Sequence, residues 1–119
     1  MKNMLPLLLL FIIVSFSTGC YYDNEEYLYG ICDTSNVTFS KDIKPIMDAN
    51  CINCHNGGTI NLTNYNGVMV KVNDSTLYKA ISYAYTGANS SKNMPSAGKL
   101  DDCSINKVKA WIDQGALNN

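Results

Sequence analysis

The run Cys51-Ile52-Asn53-Cys54-His55 places two thiols two residues apart and, directly after them, the chain's single histidine. At that spacing each thiol can add across one vinyl group of a porphyrin, and the next residue lies beneath the ring with its imidazole aimed at the iron. The chemistry implied is covalent haem attachment, with Cys51 and Cys54 as thioethers and His55 as the proximal ligand. Two other chemistries use such a pair. A redox dithiol of the thioredoxin kind expects a βαβ setting, whereas the flanks here read as helical. A zinc site needs two further ligands from Cys32, Cys103 or carboxylates, and ligand pairs of zinc spacing are lacking elsewhere.

An iron held by His55 stays closed to substrates only if a sixth ligand covers its other side. Met47 and Met69 fall in helical segments, where methionine is more often core packing. Met94 instead sits in the irregular stretch Ala84 to Lys99, directly before Pro95. The proline biases Met94 toward an extended backbone, which helps hold a thioether at a fixed point. A loop this long in a small domain usually has a job.

These residues need elements to position them. Ser40 or Asp42 can cap a first helix, Pro45 suits its first turn, and Ile43, Ile46 and Met47 recur at helical spacing. That helix delivers the chain into Cys51. Beyond His55, Gly57 and Gly58 allow a tight turn, and the carbonyls from Asn56 to Leu62 are candidates to orient the imidazole. Two short helices are expected over Asn64 to Val72 and Ser75 to Tyr83, with Asp74 or Ser75 capping the second. The last helix runs from about Asp101 to Gln114, with Ile105, Val108 and Ile112 as its apolar stripe and Trp111 beside it, and Gly115 stops it. The stripe should pack on the first helix. The indole N–H of Trp111 needs a partner if buried, and a haem propionate is one candidate.

Residues 1–19 have the layout of a secretory signal: Lys2, an apolar run from Leu5 to Val14, then small residues up to Cys20. The run is short of the roughly 20 residues that span a bilayer. Its end resembles a bacterial lipoprotein signal, which makes Cys20 the lipidation site, although Ser17 departs from the aliphatic residue usual there. Residues 20–36 follow as an acidic, tyrosine-rich tether. Of five cysteines, assigning one to lipid and two to haem leaves Cys32 and Cys103, which an exported compartment lets pair as a disulfide.

Without residues 1–19 the chain of 119 residues keeps 100, one small domain expected to act as a monomer. Its nine basic residues are all lysines against ten carboxylates. That balance lacks the basic, arginine-rich face of a nucleic-acid binder, and this class is set aside.

The helix into Cys51–His55, the later Met94-Pro95 and the closing helix with Trp111 together resemble the small monohaem class I cytochromes c, over roughly residues 37 to 116. The runs Asp42 to Cys54 and Lys109 to Ala116 look like such domains in bacterial lipoproteins. The resemblance implies an all-α bundle of about four helices around one covalent haem c, filling residues 37–119, with His55 and Met94 as axial ligands. It implies an electron carrier rather than an enzyme, held by lipid at a membrane facing the periplasm or cell surface, and serving redox partner proteins. The alternative is a haem enzyme, gas sensor or accessory haem module whose distal site is open or displaceable. The proline usual soon after the histidine is absent, leaving the partner of His55 unassigned.

Overall fold

The computed structural model describes residues 32–119. The leader 1–19, Cys20 and the tether as far as Ile31 lie outside the described residues. About half of those described are helical, in four α-helices, a π-helical turn and a 3-10 segment.

Thr38 starts the first winding. Its hydroxyl accepts the Lys41 amide at 3.3 Å, and the Asp42 carboxylate returns the favour to the Thr38 amide at 2.9 Å. This reciprocal cap satisfies two amides that a helix start leaves unpaired. The winding therefore begins earlier than a cap at Ser40 or Asp42 implies. It opens as a π-helical turn, Phe39–Ile43, and continues as α1, Lys44–Asn50. The change falls where Pro45, which has no N–H, cannot extend the preceding ladder. Ile43 and Met47 are fully buried on one face.

A short hairpin follows, which a purely helical reading of the chain omits. β1, Asn56–Gly57, pairs antiparallel with β2, Ile60–Asn61. Gly58 supplies the left-handed residue between them at φ 68°.

α2, Tyr65–Asn73, is capped by the Asn64 side chain, which accepts the Gly67 amide at 3.0 Å. It turns Val68 inward. α3, Thr76–Ile81, buries Leu77 and Ile81, and the Asp74 carboxylate takes the Thr76 amide at its start. The 3-10 segment Gly87–Lys92 lies within the long loop.

α4, Asp102–Asp113, is capped by Asp101, which accepts the Ser104 amide at 2.8 Å. Ile105, Val108 and Trp111 form its buried stripe, and Ile112 is only half-buried. The end is a Schellman motif: the Gly115 amide donates to Ile112, the Ala116 amide to Trp111, and Gly115 has φ 98°.

α4 packs on the π-helical turn and on α3, while α2 packs on α3 and β2. At the centre Phe39 meets Tyr65 edge-on at 5.2 Å between ring centroids, and Trp111 lies 5.7 Å from Phe39. The chain end closes over this cluster. Tyr65 donates its hydroxyl hydrogen to the Ala116 carbonyl, and the amides of Phe39 and Ser40 donate to the Asn119 side chain and backbone carbonyl. Cys32 and Cys103 form the disulfide, with Cα atoms 5.5 Å apart, fastening the start of the described chain to the first turn of α4. Among the described residues no helix is long and apolar enough to cross a membrane.

Candidate functional site

Met47 to His55 winds as one piece. The amides of Cys51 and Ile52 both donate to the Met47 carbonyl, at 2.8 and 3.2 Å. Those of Cys54 and His55 both donate to the Cys51 carbonyl, at 3.2 and 3.0 Å. The motif is thus one more turn added to the C-terminal end of α1, and the packing of Ile43 and Met47 fixes where it points. Cys51 is half-buried against the core, Cys54 is exposed, and His55 is half-buried. Both thiols are free rather than joined to each other.

Burial pushes the Cys51 thiol above its ordinary range. Its place at the carbonyl end of α1 also disfavours a thiolate, since that end of the helix dipole is negative. A redox dithiol needs the reverse, a thiol lowered by a helix N-terminus or a neighbouring cation. The setting of Cys51 is therefore unlike that of a redox dithiol's reactive thiol. Cys32 and Cys103 are bonded to each other and leave the pool of metal ligands. Among the described residues no group of three or more His, Cys, Asp or Glu side chains converges on a point.

The histidine is anchored through its backbone. Its carbonyl accepts the Leu62 amide at 2.8 Å, which closes the hairpin, and Leu62 itself is buried. The tight turn that Gly57 and Gly58 allow is the turn of this hairpin.

Met94 is held in its loop from three directions. Its own amide donates to the Ala80 carbonyl at 3.0 Å, at the end of α3. The next carbonyl, that of Pro95, accepts the Tyr83 hydroxyl at 2.5 Å. The residue before it, Asn93, exchanges two bonds with the Tyr85 backbone at 3.0 and 3.1 Å, a side chain imitating a strand partner. The Met94-Pro95 peptide is cis. Met94 is half-buried, whereas Met47 is sealed in the core and Met69 packs against it.

A cleft of about 420 Å³ lies between the end of α1 and the loop that follows Met94. Ala49 and Asn50 form one side and Pro95 with Ala97 to Asp101 the other. The residue after Asn50 is Cys51 and the residue before Pro95 is Met94, so the fold brings the immediate neighbours of both to one opening. Cys51, Cys54, His55 and Met94 themselves are not among the lining residues.

Trp111 is not brought there. Its ring lies in the aromatic cluster, 1 % exposed, and its indole N–H donates to the Leu117 carbonyl at 2.9 Å. Its donor is already engaged by the chain end, and Trp111 ties α4 to Leu117 from within the core.

Tyr83 and Asn93 hold the loop that carries Met94, and the sequence did not single them out. Tyr83 bonds a carbonyl 12 positions away, and no local spacing signals that. Comparison with protein-family models, with curated proteins and with solved structures found no match.

Proposed function

We propose that residues 37–119 are a haem c domain of the class I cytochrome kind, an all-helical bundle apart from its hairpin, and that the chain carries single electrons between redox partner proteins. The reading includes export under a leader at 1–19 and a lipid anchor at Cys20. The observation that carries it is the added turn on α1. It winds two unpaired thiols and the chain's single histidine into one turn at the end of α1, and Asn50, the residue before Cys51, faces Pro95, the residue after Met94, across one cleft.

The donor set suits the group: two free thiols two residues apart with a histidine directly after them. Cys51 and Cys54 would hold it covalently, His55 and Met94 would ligate its iron, and when bound it would supply a one-electron couple. The chain's own part is to hold and exclude. The hydrogen bonds of Ala80, Tyr83 and Asn93 keep the Met94 loop in one place, so the thioether need not be recruited from a disordered segment. A filled distal position keeps small ligands out, which separates a carrier from a haem enzyme or sensor.

The test is an intact mass and an absorption spectrum of protein matured in a host that attaches haem. One haem per chain is expected, lost in the Cys51→Ala, Cys54→Ala double variant; a chain that gains none defeats the proposal. Reduced wild-type protein should leave carbon monoxide unbound, and Met94→Ala should admit it. Ready binding by wild-type protein, with a spectrum unchanged in Met94→Ala, would assign an open distal site instead.

A further inference from the structure

His55 is joined to the domain on its N-terminal side through the turn on α1 and on its C-terminal side through the hairpin that follows it, and that hairpin rests on one glycine. A Cβ built on Gly67 would lie 1.8 Å from the Asn61 carbonyl oxygen and 2.9 Å from its carbon. Both are backbone atoms, so no rotamer change can make room. Gly67 is in the first turn of α2, and its amide is taken by the Asn64 side chain, which fixes that turn in place. β2 is therefore seated directly on the backbone of α2. From there the ladder runs through Asn61↔Asn56 and the Leu62 amide to the His55 carbonyl.

We propose that Gly67 is a positioning residue for His55: the backbone contact of α2 with β2 sets the height of the hairpin, and the hairpin sets the orientation of the histidine. This rests on the haem reading only for the role of the imidazole. The chain of contacts from Gly67 to the His55 carbonyl stands without it.

Three glycine variants separate the possibilities. Gly67→Ala must push β2 away. Gly58→Ala strains the hairpin turn at φ 68° with open space around its side chain, and loosens the same hairpin without touching α2. Gly57→Ala adds a methyl group to open space at an ordinary backbone angle and is the control.

In the chain without haem, amide exchange of Leu62 should accelerate about tenfold or more in Gly67→Ala and Gly58→Ala, and stay unchanged in Gly57→Ala. In the ferric, haem-loaded protein, the paramagnetically shifted resonances of the His55 ring should move in the first two variants and hold in the third, with those of Met94 moving less. If Gly67→Ala does not fold, Asn64→Ala, which releases the Gly67 amide and loosens the turn of α2 under β2, takes its place, with faster Leu62 exchange expected and unchanged exchange overturning the proposal. Unchanged Leu62 exchange, or faster exchange with His55 resonances in place, overturns the proposal. A wild-type chain that takes up no haem defeats the proposed function instead, and Leu62 exchange still decides whether Gly67 holds the hairpin.

Discussion

Tyr83 shows how much of the site depends on single side chains outside the motif. Its backbone sits at φ 60°, a region that costs a non-glycine residue about 1 kcal/mol or more. The surrounding contacts must offset that cost, and the hydroxyl bond to the Pro95 carbonyl is one of them. Removing only that hydroxyl, in Tyr83→Phe, should lower stability by about 1 kcal/mol, the usual worth of one internal hydrogen bond. The larger consequence concerns Met94, one residue from the bonded carbonyl. On the proposed haem reading, added imidazole should then displace the Met94 thioether more readily, and a spectral titration of the loaded protein against wild type measures the change. Equal affinity in both proteins would mean that the bonds of Asn93 and Ala80 suffice.

Among the elements, the first winding and α4 depend on each other. Lys107 of α4 reaches Asp42 at 2.9 Å, both partly buried, while Asp42 also closes the cap on Thr38. The Thr38 amide and then the Lys107 ammonium hold the Asp42 carboxyl below the usual carboxylate range. The folded pKa is below the unfolded one, so this contribution is complete above about pH 4 and is lost as pH falls through the folded value. Asp42→Asn should lower the urea midpoint at pH 7 by the equivalent of about 1 kcal/mol, as lost caps do, and should flatten the acid limb of stability against pH. Pairing it with Lys107→Met in a double-mutant cycle isolates the cross-element part. The elements themselves were largely legible in the sequence. Ile43 and Met47, Leu77 and Ile81, and Ile105 and Val108 each repeat at helical spacing, and each pair is buried. Less legible was whatever depended on distant partners. Thr38 outranks Ser40 as a cap because Asp42 answers it, and Trp111 joins the stripe because Phe39 and Tyr65 receive its ring. The hairpin was hidden because strands of two residues leave no alternating pattern. At the site, the spacing of Cys51, Cys54 and His55 was plain, but the residues that hold Met94 were not.

Across the whole domain, stabilising contacts gather at one end of the first winding and the site lies at the other. The disulfide, Gln114 bonded to Thr34 and Val37, and the chain end over Phe39 and Ser40 all tie the N-terminal side of that winding to α4. The twelve residues from Phe39 to Asn50 span roughly 18 Å at helical rise, which carries Cys51 well away from those ties. Stability and site geometry should then be separable by mutation. The disulfide closes a separation of 71 residues, which in the chain-entropy account of cross-links contributes about 4 kcal/mol. Replacing Cys32 and Cys103 together by Ser should lower the unfolding free energy by about that amount, read from urea denaturation. On the proposed haem reading, the folded fraction should still attach one haem and keep the spectrum of wild type, because the turn from Met47 to His55 draws on Ile43, Met47 and the hairpin. A double variant with wild-type stability would show that the bridge closes no constraint of consequence. One that folds but changes its haem spectrum would show that the far end of the winding does reach the site.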